Sequence, residues 1–214
     1  MTDRHDCQLY LVTPPEFDPA AFAPLVEEAL AAGPVACLQL WLPEADDDRL
    51  RTAAKALRGV VQGHDTAFVI NGHVKLAAYL GCDGVHLDHA SAADVKAAKK
   101  VLGEDSIVGV SARTSRHEAM NAGEAGADYV SFGPVFDTAT KGLPADPAAL
   151  SAIEWWGEMM EVPCVAVGGI TADNLTRPVE AGADFICAVS AVWNHPDGPG
   201  AGVRALTRAL KATR

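Results

Sequence analysis

The sequence predicts a single α/β domain in which eight parallel β/α units close into a (β/α)8 barrel. Three observations support this prediction. Eight short runs of strand-forming residues alternate with stretches rich in Ala, Leu, Glu and Lys along the 214 residues. A Gly-x-Asp triplet recurs directly before three of these runs. No shift in composition and no Gly/Ser-rich linker divides the chain, and closed barrels commonly occupy this length, so residues 1-214 are expected to form one domain.

The expected strands are nearly continuous apolar runs, which is typical of parallel strands buried on both faces. An open doubly wound sheet is the alternative, but no Gly-x-Gly-x-x-Gly motif follows the first run. The expected strands are 8-13, 35-41, 67-71, 84-87, 106-111, 129-135, 164-169 and 185-192.

The stretches between the strands have apolar residues at the three- and four-residue spacing of helices. Ser91, Ser115 and Thr171 are expected to cap three of these helices, and residues 46-48 are expected to form a solvated acidic first turn favoured by the helix dipole. The predicted helices include 20-32, 46-60, 91-102, 115-125, 146-160 and 171-181.

The recurring triplets begin at Gly81, Gly126 and Gly182, and each ends in an aspartate just before an expected strand. Glycine suits the left-handed residue that follows a helix, where a Cβ would be strained. The repeat therefore marks the passage from helix to strand in three units of the barrel.

The composition excludes several classes of protein. Seventeen Lys and Arg stand against 28 Asp and Glu, a formal net charge of −11, and such a field repels nucleic-acid phosphates and anionic lipids. The first residues lack the apolar segment of a signal peptide, and no run of 18 apolar residues occurs. We therefore expect a cytoplasmic protein that binds neither nucleic acid nor membrane. Its five widely spaced cysteines are expected to be reduced and mostly buried.

Residues suited to bind an anion follow the last two expected strands. Gly168 and Gly169 follow the seventh strand and Ser190 ends the eighth. Glycine amides can approach a phosphate closely, and the loops after strands 7 and 8 are the usual phosphate site of such barrels. A tight turn without a ligand is the alternative interpretation. We expect a phosphorylated small molecule to bind here.

The loop after the sixth expected strand carries Thr138, Thr140 and Lys141. Two hydroxyl groups and an ammonium group could clamp a second anionic group. The same composition is also typical of a mobile polar loop.

The chain resembles thiamine-phosphate synthase and its thiazole tautomerase relatives over about its whole length. The segments that carry the resemblance are 10-13, 38-40, 69-71, 83-87, 108-111, 127-136, 138-141, 167-171 and 188-191. The resemblance implies a TIM barrel that joins an aminopyrimidine diphosphate to a thiazole phosphate with Mg²⁺ and releases pyrophosphate. It also implies roles for individual residues. Thr138, Thr140 and Lys141 would meet substrate phosphates, Gly168, Gly169 and Ser190 would hold the thiazole phosphate, and Gln39, Asn71 and Ser111 would face the pyrimidine and its pyrophosphate.

The departures from the family pattern lie at its magnesium and pyrophosphate site. Trp41 and Pro43 stand where the family has pyrophosphate-binding Arg and Lys, and Gly72 and Ser91 stand where it has aspartates that would ligate magnesium. Mg²⁺ prefers carboxylate oxygen, so its expected ligands are not retained. Trp41 is interpreted as an apolar plug or a stacking surface for a heterocycle.

Histidines gather near the same expected loops. His73, His86, Asp88 and His89 follow strands 3 and 4, and imidazoles with a carboxylate suit a transition metal. An ordinary pair of loop histidines is the alternative, because no third ligand is set by the spacing.

Three functions are consistent with the sequence. The first is thiamine-phosphate synthase with a degraded magnesium and pyrophosphate site, whose activity is expected to be low or absent. The second is a thiazole-phosphate isomerase, although the histidine of the tautomerases would fall at Pro134, so that His73 or His89 would have to transfer the proton. The third is a catalytically silent barrel that binds a phosphorylated metabolite or a protein partner. A homo-oligomer is compatible with all three.

Overall fold

A computed structural model describes residues 6–213, and it contains a closed barrel of parallel strands. Each strand pairs with the next along the chain, and the first also pairs with the last, which closes the barrel. The predicted (β/α)8 barrel is therefore confirmed. The strands are β1 (Gln8–Val12), β2 (Cys37–Leu40), β3 (Ala67–Asn71), β4 (Gly84–Asp88), β5 (Ile107–Arg113), β6 (Tyr129–Phe132), β7 (Cys164–Ala166) and β8 (Phe185–Ala188).

Helices surround the barrel and include all six that the sequence predicts. The structure adds a short helix after β3, one turn after β8 and a helix near the end of the chain. The helices are α1 (Pro19–Ala31), α2 (Asp47–Gln62), α3 (Val74–Leu80), α4 (Ala92–Leu102), α5 (Arg116–Glu124), α6 (Ala148–Met159), α7 (Thr176–Glu180), α8 (Ser190–Trp193) and α9 (Pro199–Ala212).

The helix starts agree with the predicted caps in all but one case. Ser91 and Ser115 accept hydrogen bonds from the backbone of α4 and α5, and Asp46 caps the acidic first turn of α2. The prediction for Thr171 is wrong, since α7 begins only at Thr176. The Asn174 side chain accepts from the Thr171 N–H at 2.8 Å and donates to the Gly169 carbonyl at 3.0 Å, which holds the preceding residues in a turn.

The last two strands end earlier than predicted. Strand β7 stops at Ala166 because Gly168 and Gly169 have φ values of 101° and 64°, which a strand cannot accommodate. Residues 190-192, which the sequence assigns to a strand, lie in α8. Both changes place these residues beyond the strands, at the carboxyl end of the barrel.

The aspartates of the repeated triplet hold neighbouring strands together at the amino end of the barrel. The carboxylate of Asp83 accepts from the N–H of Phe68 at 2.7 Å. Asp128 accepts in the same way from Val108 at 2.6 Å, and Asp184 from Cys164 at 2.7 Å. Each triplet glycine has a positive φ, as predicted. The repeat therefore aligns the start of β4, β6 and β8 with the strand before it.

The buried side chains form two layers. The larger lies between the barrel and the helices, and the smaller fills the barrel itself with Tyr10, Val12, Cys37, Val69, Tyr129, Val165 and Cys187. All five cysteines are reduced; Cys7 is half-buried and the others are buried, as predicted. No helix within residues 6–213 is long and apolar enough to cross a membrane.

Gly109 makes room for two rings inside the barrel. Gly109 in β5 pairs with His86 in β4 on one side and with Tyr129 in β6 on the other. The rings of His86 and Tyr129 stack across it with their centroids 5.6 Å apart. A Cβ on Gly109 would fall on the Tyr129 ring. The absence of a side chain at this position thus permits the contact between the two rings.

We expect Gly109→Ala to destabilise the protein by about 1–3 kcal/mol, the usual cost of overpacking a core. Gly59→Ala is the matched control, because Gly59 is exposed within α2 and has open space around its Cβ position, so that alanine should stabilise the helix slightly. Urea unfolding of both variants measures the effect. Equal free energies of unfolding would contradict the packing interpretation.

Candidate functional site

A cavity of about 750 Å³ opens at the carboxyl end of the barrel. Its wall is formed by the ends of the strands and by the loops that follow them, where α/β barrels place their active sites. The residues singled out from the sequence that line it are Gln39, His86, Asp88, His89, Ser111, Thr138, Thr140, Lys141, Gly168, Gly169 and Ser190. Asn71 lines a smaller adjoining pocket and contacts this cavity through Gln39 and Asp88.

A chain of hydrogen bonds crosses the floor of the cavity. The Asn71 amide donates to Asp88 Oδ2 at 3.0 Å and accepts from Gln39 Nε2 at 2.7 Å. Gln39 Oε1 accepts from the Tyr10 hydroxyl at 2.9 Å. Tyr10 and Tyr129 are joined through their hydroxyl groups at 2.7 Å. The Tyr129 hydroxyl in turn contacts His86 Nδ1 at 2.9 Å, so six side chains are linked from Asp88 to His86.

The direction of each hydrogen bond follows from the carboxylate at one end. Ionised Asp88 can only accept, so Asn71 presents its N–H to it and its oxygen to Gln39. Gln39 then presents its oxygen to Tyr10, which uses its hydroxyl proton there. Tyr129 must donate to Tyr10, and the Tyr129 oxygen accepts from His86 Nδ1–H at 2.9 Å. His86 is thereby fixed with its proton on Nδ1 and a lone pair on Nε2.

His86 is neutral at physiological pH. Its pKa is lowered from 6.5 to about 4, mainly by burial; the Asp88 charge opposes the shift and the Lys141 charge adds to it. Burial likewise raises the pKa of Tyr10 and of Tyr129 well above 10, so both hydroxyl groups keep their protons. The end of the floor formed by His86 and the two tyrosines is therefore fixed in orientation and uncharged.

The loop after β6 places an ammonium group over an aromatic ring. Lys141 Nζ lies 4.9 Å from the centre of the Trp41 ring, within the range of a cation–π contact. Thr13 holds Trp41 in place, because its hydroxyl accepts from the Trp41 N–H at 3.0 Å and donates to the Trp41 carbonyl at 3.1 Å. Trp41 therefore forms a fixed wall of the cavity that also orients Lys141.

The turn after β7 presents backbone donors to the cavity. Within the described part of the chain, the N–H groups of Gly168 and Gly169 have no acceptor on the protein. A Cβ on Gly168 would lie 2.7 Å from Pro134, and one on Gly169 would overlap the Asp137 carbonyl. Glycine is thus required at both positions for the backbone to pack this closely, and the amides remain available to an anion.

The residues present do not form a metal centre. No group of three or more His, Cys, Asp or Glu within residues 6–213 is arranged to hold a metal ion. His86 Nδ1 is engaged by Tyr129, His89 Nε2 lies 2.8 Å from a guanidinium nitrogen of Arg113, and His73 Nδ1 lies 3.5 Å from Asp47. The structure therefore does not bring together the four candidates for a transition-metal site.

The residues at the positions expected to ligate magnesium do not form a set of ligands for it either. The hydroxyl of Ser91 caps α4 and contacts Asp94 at 2.6 Å, and Gly72 has no side chain. Asp88 is a single carboxylate that already accepts from Asn71. Mg²⁺ held by a protein normally uses one or two carboxylates together with substrate phosphates, so this donor set does not fit a preformed magnesium site.

The sequence does not mark three residues of the site as functional candidates. Tyr10 and Tyr129 lie in apolar runs and are indistinguishable there from ordinary core residues. Arg113 follows an expected strand by two residues, and its position at the carboxyl end of a strand is a signal that could have identified it.

Comparison with known proteins identifies relatives along almost the whole chain. Residues 9–192 match the model of the family described as thiamine monophosphate synthase. The chain is 51% identical over 208 residues to thiamine-phosphate synthase of Rhodospirillum centenum, covering 96% of this chain and 99% of that protein. It is 45% identical over 214 residues to thiamine-phosphate synthase of Hyphomonas neptunium, covering 96% of each. The solved structure of thiamine phosphate pyrophosphorylase from Pyrococcus furiosus aligns with a TM-score of 0.81 at 27% identity, covering 97% of each chain.

The buried, neutral His86 is expected to make stability depend on pH. Between pH 6.5 and about 4 the unfolded chain binds more protons at this residue than the folded protein, so the free energy of unfolding falls as pH falls across this range. Each pKa unit corresponds to about 1.4 kcal/mol, so we expect His86 to account for a loss of up to about 3 kcal/mol in the free energy of unfolding on acidification.

Urea unfolding at several pH values measures this effect in wild type and in His86→Asn, which keeps an N–H near the Nδ1 position but does not titrate. The variant should lose less stability on acidification. His117→Asn, on the exposed side of α5, is the control and should retain the wild-type pH dependence. Identical slopes for wild type and His86→Asn would contradict the assignment.

Proposed function

The chain belongs to the thiamine monophosphate synthase family, and we propose that it joins an aminopyrimidine diphosphate to a thiazole phosphate and releases pyrophosphate. The observation that carries the proposal is that one cavity combines a polar floor with two separate segments at its rim that are suited to bind anions. The segments are the loop that carries Lys141 and the turn at Gly168 and Gly169. Two phosphorylated substrates that meet over a heterocycle-binding floor need this combination.

The floor is suited to bind the aminopyrimidine. Gln39 has one amide N–H that is not used by Asn71, and His86 has a lone pair on Nε2. Together they provide a donor and an acceptor for a ring that carries both an amino group and ring nitrogens. Since hydrogen bonds on the floor fix both side chains, the ring would bind in one orientation.

The turn after β7 is suited to hold the thiazole phosphate. The N–H groups of Gly168 and Gly169 would donate to phosphate oxygens, and the exposed hydroxyl of Ser190 lies in the same wall. Both substrates would then be held with their reacting ends over the same floor, which converts an encounter between two molecules into a reaction at one site.

In the proposed reaction the carbon–oxygen bond to the diphosphate breaks and its electron pair leaves with the diphosphate. The lone pair of the thiazole nitrogen forms the new bond to the carbon, which leaves a positive charge on the thiazole ring. Negative charge therefore develops on the leaving group. Lys141 would stabilise this charge, with Thr138 and Thr140 as neutral donors in the same loop. We assign no step to magnesium held by the protein, because its ligands do not fit.

An isomerase is less consistent with the site. The sequence leaves His73 or His89 to transfer the proton, but His73 lies beside Asp47 and does not line the cavity, and His89 Nε2 accepts from Arg113. Pro134 has no proton to transfer. A barrel that binds phosphorylated metabolites without turnover is the remaining alternative, and a direct assay distinguishes it from the synthase.

We expect the protein to form thiamine phosphate and pyrophosphate in equal amounts from the two substrates. Lys141→Met should lower kcat/KM by about 10²-fold, comparable with the loss of one charge-stabilising donor in other enzymes. Lys55→Met, on the exposed side of α2, is the control and should leave the rate unchanged. Product analysis by chromatography and a coupled pyrophosphate assay measure the reaction. Tight binding of both substrates without product would instead support the silent barrel.

We expect the thiazole phosphate to stabilise the folded protein through the turn after β7. Saturation at 100 times Kd should raise the free energy of unfolding by about 2.7 kcal/mol, and Gly168→Ala should abolish most of this gain. Gly103→Ala is the matched control, because Gly103 also has a positive φ, of 104°, but caps α4 away from the cavity. Thermal unfolding with and without the ligand measures the gain for each variant. Equal gains in all three proteins would place the phosphate elsewhere.

A further inference from the structure

The cavity contains two cationic side chains in a strongly acidic protein. The formal net charge of the chain is −11, yet among the described residues that line the cavity the Lys and Arg side chains are Arg113 and Lys141. Neither forms an ion pair within 4.0 Å with any acidic side chain of residues 6–213. The two carboxylates that line the same cavity, Asp88 and Asp146, accept instead from the Asn71 amide and from the Ala148 N–H. Neither therefore forms a direct ion pair with the two cations, which leaves both cations able to bind an anionic ligand between the loops that carry them.

The backbone directs Arg113 toward the cavity by an irregularity at the end of β5. The pairing of β5 with β6 shifts register between Ser111 and Arg113, as in a β-bulge. Arg113 itself has a φ of 52°, in the left-handed region that residues other than glycine seldom adopt. Bulges near active sites commonly redirect a side chain, and strained backbone of this kind is found at functional sites.

A second strained residue holds the guanidinium group. His89, after β4, also has a φ of 52°, and its Nε2 lies 2.8 Å from Arg113 Nη2. A guanidinium group can only donate, so His89 Nε2 is the acceptor and the imidazole carries its proton on Nδ1. This contact uses one of the five N–H donors of Arg113. The remaining donors leave the group able to bind a ligand.

We propose that Arg113 is a diphosphate-binding residue of this cavity and that His89 is the residue that positions it. The inference rests on the proposed function for the identity of the natural ligand, an organic diphosphate. A diphosphate carries more charge than the phosphate monoester expected at Gly168 and Gly169, and Arg113 and Lys141 supply a matching pair of cations. The planar guanidinium fork can donate two parallel hydrogen bonds to phosphate oxygens, whereas the ammonium group acts as a point charge.

Inorganic pyrophosphate tests the proposal without turnover. Isothermal titration calorimetry in a metal-free buffer with chelator should show that Arg113→Met weakens pyrophosphate binding at least about tenfold, as expected for loss of charge-assisted hydrogen bonds. Stabilisation by the thiazole phosphate should not change. Arg208→Met, on the exposed side of α9, is the control and should bind pyrophosphate as wild type does.

The role of His89 is tested by rescue. His89→Ala removes the acceptor and should weaken pyrophosphate binding, whereas His89→Gln places an amide oxygen near the Nε2 position and should restore most of the affinity. Equal affinities of the alanine and glutamine variants would overturn the positioning role. Thermal unfolding of each variant excludes loss of fold as the cause.

Failure of this inference is distinguishable from failure of the proposed function. If wild type forms thiamine phosphate but Arg113→Met binds pyrophosphate as tightly as wild type, the role of Arg113 is wrong and the synthase assignment stands. If wild type forms no product but Arg113→Met selectively loses pyrophosphate binding, the diphosphate site stands and the synthase assignment is wrong. Failure of wild type to bind pyrophosphate at all overturns the site.

Discussion

Closure of the barrel is the constraint on which the rest of the structure depends. Because β1 pairs with both β2 and β8, the sheet has no free edge, and its backbone hydrogen bonds are satisfied within the ring. Side chains that point inward then have no room to rearrange, and polar groups among them must find partners inside the barrel. The carboxyl ends of the strands are left as the place where loops can vary. The cavity and the groups proposed to bind anions lie there.

The chain of hydrogen bonds on the cavity floor provides partners for the polar side chains inside the closed barrel. Gly109 leaves space for His86 and Tyr129 to stack, and Tyr10 then connects Tyr129 to Gln39. Each side chain has a partner along this chain of hydrogen bonds, and the groups left over, one Gln39 N–H and His86 Nε2, belong to residues that line the cavity. The same bonds that stabilise the interior fix which atoms donate and which accept at the base of the cavity. Under the proposed function, stability of the core and recognition of the heterocycle would depend on the same side chains.

The sequence predicts the fold well because buried parallel strands and their helices have strong local signatures, and the Gly-x-Asp repeat marks three units directly. It predicts the ends of elements less well. The turn at Thr171 depends on the side chain of Asn174, and residues 190-192 are as apolar as a strand although they lie in a helix. The proposed grouping of histidines did not occur because His86 points into the barrel while His73 lies beside Asp47. For the histidines, the direction of each side chain, rather than its position along the sequence, decides which residues lie together.

The departures that the family resemblance implies at positions 72 and 91, together with two cavity cations that form no ion pair within residues 6–213, would be consistent with a single change in how the cavity binds charged groups. Carboxylates at positions 72 and 91 would favour a bound cation, and they would also lower the attraction of the cavity for an anion in the absence of that cation. With Gly72 and Ser91 in their place, the two carboxylates nearby are engaged by other groups, Asp88 by Asn71 and Asp94 by Ser91. The cations Arg113 and Lys141 can then act directly on a ligand. Under the proposed function, the leaving diphosphate would be stabilised by side chains that the fold holds in place, His89 beside Arg113 and Trp41 beneath Lys141, rather than by a metal ion held by the protein.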